Sequence, residues 1–180
     1  MSPTVRPWEP RDAEAAIEVV RSVYDEYGFT WDPDEYHADL YDVPGHYLDS
    51  GHRFWVGERD GRVRGTVALH VFDPVPGSFG EVVAHQGFLR VGGTDCALQR
   101  LYVAAEARRS GLGTALMTAA VRQAAAFGCR AMEIWSDKRF VDAHRLYRRL
   151  GARVVGERIC HDPDQSPEWG LILELGAAAG

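Results

Sequence analysis

Residues 96–128 read CALQRLYVAAEARRSGLGTALMTAAVRQAAAFG, and they set the order of elements on which the fold depends. Ala97–Val103 contains apolar residues and no turn signal, which predicts a strand. A connector over Ala104–Ser110 follows. Apolar residues then recur at helical spacing from Leu112 to Phe127, and a glycine follows at 128, so this part predicts a helix. The stretch as a whole predicts a strand, a basic turn with two glycines, and a helix.

The turn before the helix has the chemistry of an anion site. The N-terminus of a helix offers backbone N–H groups without intrahelical partners, together with the positive end of the helix dipole. Gly111 and Gly113 lack the Cβ atoms that would hold a phosphate away from those amides. Arg108 and Arg109 can add charge-assisted contacts. We therefore interpret Arg108–Thr114 as a phosphate-binding segment and call it the anion cradle.

Two common phosphate motifs do not fit the anion cradle. A P-loop requires Lys followed by Ser or Thr after the second glycine, where this chain has Thr114 and Ala115. The dinucleotide fingerprint begins close to its strand and has Gly or Ala at its sixth position. Here Gly111 lies well past Val103, and the sixth position is Leu116. The pattern that remains is arginine, two residues, glycine, one residue and glycine.

The segments that follow carry a family resemblance. Met132–Asp137 predicts a second strand, and Arg139–Leu150 predicts a helix with Ala143 and Tyr147 on one face, followed by Gly151. Together with the anion cradle after its strand, this pattern resembles the GNAT superfamily of acetyl-CoA-dependent N-acetyltransferases. The resemblance implies an α/β (α+β) fold in which helices flank a mixed, mostly antiparallel central sheet.

The resemblance, which covers residues 53 to about 175, implies roles for particular residues. Acetyl-CoA is the expected co-substrate, with its pyrophosphate in the anion cradle and its pantetheine paired along the first strand like an added strand. The backbone N–H of Val103 is the candidate donor to the thioester oxygen. Phe140 stands where the family often has Asn in contact with the pantetheine. The expected cofactor-binding residues are Leu101, Tyr102, Val103, Arg108, Arg109, Ser110, Gly111, Leu112, Gly113, Thr114 and Phe140.

By the same resemblance, Tyr147 is the general acid that protonates the departing thiolate; its alternative is a helix tyrosine with a surface hydroxyl. The general base stays open, since family members often place Glu where this chain has Ala97. Glu133, Asp137 and His144 are the nearby alternatives, besides a base acting through water or no base at all. We favour Asp137 because it follows the second strand; its alternative role is to cap the next helix. For His144 we favour a place on the helix face over a role as base.

Composition and charge limit the function classes. With 180 residues, 46% of them hydrophobic and 26% charged, the chain fits a single globular domain over residues 1–180. A net charge of −6 argues against general binding to nucleic acid or to an acidic membrane. Cys96, Cys129 and Cys160 are widely spaced and form no Cys-x-x-Cys, so neither a disulfide framework nor a metal site is predicted. No apolar run reaches membrane length and no signal-peptide core is present, so we expect a cytoplasmic protein.

The remaining segments predict further elements. The long connection Asp73–Gly93 is expected to contain local structure such as an extra hairpin. An Asp-Gly pair at 60–61 predicts a hairpin turn. The predicted helices cover Ala16–Tyr27 and Pro33–Asp42, the latter capped by Asp32. The predicted strands are Thr4–Trp8, Arg53–Glu58, Val63–Val71, Arg153–Ile159 and Trp169–Leu175.

The acceptor site is predicted from the region between the first two helices. In the family, the region between the first two helices commonly borders the acceptor site, so Phe29 and Trp31 are candidate substrate residues; the alternative is that they pack helices onto the sheet. The predicted activity is transfer of an acetyl group to a primary amine, of a small molecule or a peptide, by direct attack in a ternary complex. A non-catalytic acyl-CoA sensor or scaffold is the alternative. Homodimerisation is left open.

Overall fold

The structure, a computed structural model, describes residues 2–176. Short 3₁₀ turns lie at Pro10–Asp12 and Ala105–Ala107, and one π-helical turn lies at Pro44–Leu48. The helices are α1 (Ala13–Tyr27), α2 (Ala38–Tyr41), α3 (Leu112–Ala126) and α4 (Val141–Arg149). The strands are β1 (Thr4–Pro7), β2 (Arg53–Arg59), β3 (Arg62–Val71), β4 (Val82–His85), β5 (Phe88–Val91), β6 (Cys96–Val103), β7 (Ala131–Asp137), β8 (Arg153–Ile159) and β9 (Pro167–Glu174).

Seven strands form one sheet in the order β1-β2-β3-β6-β7-β9-β8, and β4 pairs with β5 in a second sheet. The β1–β2, β2–β3, β7–β9 and β8–β9 pairs are antiparallel, whereas β6 and β7 are parallel. The predicted mixed, mostly antiparallel sheet with flanking helices is therefore confirmed. The β6–β7 ladder joins Cys96–Leu98 to Met132–Ile134 and stops there, although β6 continues to Val103.

Backbone contacts divide the chain into two compact units. The first contains the residues up to 69 together with 100–120, and the second contains 70–99 together with the residues from 121 onward. The single domain over residues 1–180 stays a prediction. The first unit has a core cluster formed by one face of α1 and residues of β2 and β3, with Ala16, Val20, Tyr24, Phe54, Val56 and Ala68 among its members.

Two glycines let α3 lie close to the sheet in the first unit. A Cβ added to Gly57 of β2 would come within 2.6 Å of Leu112 Cδ1, and one added to Gly65 of β3 would come within 2.6 Å of Leu116 Cδ1. Leu112 and Leu116 are consequently almost fully buried, at 1% and 0% exposed. The absence of side chains on neighbouring strands therefore fixes where α3 begins, and with it the position of the anion cradle.

Both predicted hairpins are present. Asp60 and Gly61 have φ values of 52° and 73°, so the left-handed turn predicted from Asp-Gly joins β2 to β3. The connection over residues 73–93 contains the expected extra hairpin, in which Gln86 and Gly87 (φ 50° and 83°) join β4 to β5.

The helix predicted over Pro33–Asp42 was placed too early. The Asp32 carboxylate accepts hydrogen bonds from the backbone N–H groups of Glu35 and Tyr36 at 3.2 and 3.3 Å, and the His37 N–H donates to the Asp32 carbonyl at 2.8 Å. These bonds close a turn, and regular helix begins only at Ala38. Among the helices of residues 2–176, none has the length and apolar character needed to cross a bilayer.

Candidate functional site

The anion cradle has an open face at the start of α3. Arg109 and Gly111 have φ values of 57° and 84°, and the Ser110 hydroxyl donates to the Ala107 carbonyl at 2.6 Å, which holds the loop in shape. A Cβ added to Gly111 would meet no atom within 4 Å. Leu112 is almost fully buried, with its side chain turned toward Gly57 and Gly65. Open space beside a helix N-terminus fits a pyrophosphate group.

The two arginines of the cradle differ in their surroundings. Arg108 donates through Nη1 and Nη2 to both carboxylate oxygens of Glu26, at 2.7 and 2.6 Å, and through Nε to the Val103 carbonyl at 3.2 Å. Hydrogen bonding to Arg108 lowers the pKa of Glu26. Arg108 thus ties the loop to α1 and β6, and its contact with phosphate stays a prediction. Arg109 is exposed beside Gly111, where its side chain can meet an anion.

A left-handed residue interrupts β6 immediately before Leu101–Val103. Arg100 has a φ of 52°, and the Thr66 hydroxyl donates to its carbonyl at 2.7 Å. Its guanidinium binds the Asp39 carboxylate through Nε and Nη2, at 2.9 and 2.7 Å, and also donates to the Tyr36 carbonyl at 2.6 Å. Burial alone would raise the pKa of Asp39, but the charge and hydrogen bonds of Arg100 lower it on balance. This buried pair fastens α2 to β6, and sequence reasoning missed it because its partners lie 61 positions apart.

Phe29 and Trp31 belong to an aromatic group on the first unit's core. Trp31 stacks on His37 with ring centroids 4.0 Å apart and meets Tyr24 edge-on at 5.6 Å. Phe29 meets Tyr24 edge-on at 5.4 Å. Both residues are partly buried against the core cluster, so the contacts favour the packing role that was the alternative in the sequence analysis. Their contact with an acceptor stays a prediction.

Tyr147 lies on α4 in the second unit and is buried, at 4% exposed. This burial does not fit the alternative of a tyrosine with a surface hydroxyl. Its ring centroid lies 6.4 Å from that of His144, one turn earlier on the helix. Phe140 immediately precedes α4, and its backbone N–H donates to the Asp137 carbonyl at 3.0 Å.

Two of the three base candidates are held by other groups. Asp137 accepts hydrogen bonds from the Arg139 backbone N–H and Nε at 2.8 and 2.9 Å on one oxygen, and from Arg139 Nη2 at 2.7 Å on the other. Burial would raise the pKa of Asp137, but these bonds and the charge of Arg139 lower it overall. The contacts favour the capping role, and catalysis by Asp137 stays a prediction.

Glu133 is 2% exposed and fully engaged. It accepts hydrogen bonds from Arg90 Nε at 2.5 Å, from the Val91 backbone N–H at 2.8 Å and from Trp135 Nε1 at 3.2 Å. Burial and these three donors leave little of the carboxylate accessible to a substrate. The contacts identify Glu133 as a structural residue that joins β5 to β7.

The third candidate, His144, faces a hydroxyl that the sequence analysis did not single out. Its Nε2 lies 3.0 Å from Ser136 Oγ, which belongs to β7. Burial lowers the pKa of His144 below its ordinary value, the charge of Arg148 lowers it further, and contacts with Asp137 oppose both. Sequence spacing gave no signal for this pair, because a turn between strand and helix separates the two residues.

A cluster of potential metal ligands also escaped the sequence analysis, which predicted no metal site. One donor atom from each of Asp95, Cys96 and Cys129 lies within 4.8 Å of the others. The Asp95 carboxylate accepts hydrogen bonds from the backbone N–H groups of Arg130 and Ala131, at 2.9 to 3.1 Å. Burial raises the pKa of both thiols. These contacts give the cluster a role in joining β6 to β7.

Comparisons with known proteins agree with the fold. Residues 17–152 match the Acetyltransferase (GNAT) family. The chain is 30% identical over 155 residues to the "Uncharacterized N-acetyltransferase YjgM" of Escherichia coli (strain K12), covering 83% of this chain and 81% of that protein.

Two solved structures show the same fold at low sequence identity. One is a GNAT superfamily phosphinothricin acetyltransferase from Sinorhizobium meliloti in complex with AcCoA, with a TM-score of 0.71, 19% identity and coverage of 99% of this chain and 91% of that one. The other is the ribosomal-protein-S18-alanine N-acetyltransferase from Escherichia coli, with a TM-score of 0.66, 16% identity and coverage of 99% and 96%. The chain therefore belongs to the GNAT family of acetyltransferases and is an acyltransferase that uses acetyl-CoA as its co-substrate.

Proposed function

We propose that the protein transfers the acetyl group of acetyl-CoA to a primary amine, of a small molecule or a peptide, by direct attack in a ternary complex. The observation that carries this proposal is the anion cradle, in which a left-handed glycine opens space beside the first turn of α3. Backbone N–H groups of Ser110–Thr114 and the side chain of Arg109 would hold the pyrophosphate.

The backbone of Leu101–Val103 would pair with the pantetheine. Support comes from the β6–β7 ladder, which stops at Leu98 while β6 continues. The left-handed Arg100 also interrupts the extended backbone of β6 before this segment, and its ion pair with Asp39 holds Arg100 in place. In this proposal the Val103 N–H stabilises the negative charge that develops on the thioester oxygen.

Tyr147 would supply the proton that the departing thiolate needs. Its burial supports this role, because a buried residue is held in place and shielded from water that would compete as the proton donor. The acceptor that we propose is a primary amine. Phe29 and Trp31 stay candidate acceptor contacts, and their packing on Tyr24 and His37 gives them rigid positions.

Release of free thiol from acetyl-CoA, measured across a panel of amines, tests the activity. The panel contains phosphinothricin and a peptide with an N-terminal alanine, because two structural neighbours are named for these acceptors. Spermidine and lysine complete the panel as further primary amines. Amine-dependent thiol release is the expected result. Acetyl-CoA binding without release above hydrolysis for any amine would contradict the proposal and favour the sensor alternative.

A second measurement tests the cradle without an acceptor. Acetyl-CoA should raise the melting temperature, because a ligand that binds only the folded state stabilises it by mass action. Gly113→Glu places a carboxylate where the pyrophosphate would lie and should abolish this shift. Gly176→Glu is the matched control, since Gly176 is exposed and a Cβ there meets nothing within 4 Å. If folded Gly113→Glu kept the full shift, the cradle would be assigned wrongly.

A further inference from the structure

Three side chains that can bind a metal ion meet inside the second unit. Asp95 precedes Cys96, the first residue of β6, and Cys129 lies in the connection between α3 and β7. One donor atom of each, a carboxylate oxygen or a sulfur, lies within 4.8 Å of the other two. Cys129 is 9% exposed and lies between the exposed residues Gly128 and Arg130, so the cluster is close to the surface. The cluster is complete within one compact unit.

The carboxylate of the cluster is held in one orientation by the backbone. The Arg130 N–H donates to both oxygens of Asp95, at 3.0 and 2.9 Å, and the Ala131 N–H donates to one of them at 3.1 Å. A carboxylate offers about four lone-pair sites, so these two donors leave acceptor capacity for a cation. Hydrogen bonds that orient a ligating carboxylate are the usual support of a metal site. Asp95 is therefore a preorganised oxygen ligand.

The two thiols have only weak partners. Cys96 Sγ donates to the Ala131 carbonyl at 3.6 Å, and Cys129 Sγ donates to the Asp95 carbonyl at 4.0 Å. The two sulfurs also interact with each other. A thiol is a weak hydrogen-bond donor, so these contacts oppose a bond between sulfur and metal only slightly. Thiolate ligands favour ions of the zinc class over Mg²⁺ and Ca²⁺, which take oxygen ligands.

We propose that Asp95, Cys96 and Cys129 form a binding site for a thiophilic divalent cation of the zinc class, held by two thiolates and one carboxylate. Binding releases the two thiol protons to solvent, and a water molecule takes the fourth position of the tetrahedron. Sulfur ligands lie about 2.3 Å from such an ion, so the two sulfurs of a tetrahedral site are about 3.8 Å apart. Because the donor atoms already lie within 4.8 Å of one another, they need to move by only about 1 Å or less to close around the ion.

The ion has a structural role at this position. It joins the start of β6 to the chain that enters β7, next to the pair of Cys96 and Met132 in the parallel ladder. An ion that binds only the folded chain stabilises it by mass action, so Zn²⁺ should raise the melting temperature of the protein without a part in acetyl transfer.

The test uses Co²⁺, which replaces zinc in tetrahedral thiolate sites and absorbs visible light there. The full chain is treated with a chelator, kept reduced with a phosphine and titrated with CoCl₂. The expected result is a charge-transfer band from thiolate to cobalt that saturates at one ion per chain and disappears when ZnCl₂ is added. Histidines and carboxylates elsewhere on the surface bind cobalt without this band. Its absence in folded, reduced wild type would overturn the proposal.

Variants assign the ligands. Cys96→Ser and Cys129→Ser should each weaken the band and the binding of cobalt, whereas Cys160→Ser should keep both, because Cys160 follows β8 and lies outside the cluster. Asp95→Asn keeps an acceptor for the backbone N–H groups and should weaken binding by at least about 10-fold. A full band in folded Cys129→Ser, or its loss in folded Cys160→Ser, would place the thiolate ligands elsewhere and contradict the assignment.

A second measurement needs no variant and so does not depend on the folding of one. Cys129 and Cys160 are similarly exposed, at 9% and 8%. Zn²⁺ should slow the alkylation of Cys129 in wild type, measured by mass spectrometry of peptides, and leave the alkylation of Cys160 unchanged. Equal rates at Cys129 with and without Zn²⁺ would show that this thiol does not bind the ion.

Discussion

At the scale of single residues, Tyr147 is the most direct test of the acid. A phenol has a reference pKa of about 10 and a thiol one of about 8.5, so proton donation depends on the position and desolvation of the tyrosine. Tyr147→Phe keeps the buried ring and removes only the hydroxyl. We expect the fold and acetyl-CoA binding to be kept, with kcat lower by about 10²-fold, measured in steady state. A folded variant with wild-type kcat would assign Tyr147 to packing.

Glu133 illustrates the opposite case, a titratable residue whose contacts are structural. Glu133→Ala leaves the buried Val91 N–H and the partly buried Arg90 and Trp135 Nε1 without their acceptor. The free energy of unfolding in urea should fall by about 3–5 kcal/mol, while kcat per folded molecule stays unchanged. Glu157→Ala, which breaks an exposed ion pair with Lys138, is the control and should cost about 1 kcal/mol or less. If Glu133→Ala kept its stability but lost kcat, Glu133 would have a catalytic role instead of a structural one.

At the scale of elements, the position of α3 decides whether the anion cradle works. The helix approaches the sheet over Gly65, where an added Cβ would lie 2.6 Å from Leu116 Cδ1 and 3.2 Å from the Tyr102 carbonyl oxygen. Leu116 is fully buried, so its side chain has little room to turn away from the added methyl group, and we expect the helix that carries it to shift. Such a shift changes the place of the first-turn amides.

Gly65→Ala should therefore affect stability and cofactor binding together. Overpacking of this kind costs about 1–3 kcal/mol in the free energy of unfolding, and calorimetric titration should show weaker acetyl-CoA binding. Gly176→Ala, which meets no neighbour within 4 Å, should change neither quantity. If Gly65→Ala were destabilised but bound acetyl-CoA with wild-type affinity, the position of the first-turn amides of α3 would not depend on this contact.

At the scale of the whole molecule, buried histidines make stability depend on pH. His37 is fully buried, and within residues 2–176 its Nε2 has no hydrogen-bond partner. Burial, with the charge of Arg100, lowers its pKa from 6.5 to about 4. Between these values the unfolded chain binds a proton that the folded chain does not, so the free energy of unfolding falls as the pH falls. Burial also lowers the pKa of His52 and His144, which act in the same direction.

We expect His37 alone to remove about 3 kcal/mol of the free energy of unfolding between pH 7 and pH 4, at 1.36 kcal/mol for each pKa unit. Urea unfolding over this range should give a clear slope in wild type. His37→Asn should flatten the slope, and the exposed control His161→Asn should keep it. Equal slopes in the two variants would show that His37 is not the group responsible.

Local signals in the sequence predicted most elements. The 3.6-residue periodicity predicted α1 and α3, and the Asp-Gly pair predicted the β2–β3 turn. The glycines of the anion cradle predicted a phosphate site, and the resemblance to the GNAT superfamily implied the co-substrate. These features depend on neighbours in the chain, which is why they can be read without the fold. The predicted second helix failed at its start, because the bonds from Asp32 to the residues that follow it favour a turn.

The partners of the charged and polar side chains were decided only by the tertiary structure. Arg100 meets Asp39, Arg108 meets Glu26, and Glu133 meets Arg90, all across long stretches of chain. Each pairing depends on which strands and helices become neighbours, and periodicity has no information about that. The sequence by itself therefore determined the family, the co-substrate and Tyr147 as the candidate acid. The fold decided which partners the charged side chains meet, and it placed Ser136 Oγ within hydrogen-bond distance of His144 Nε2.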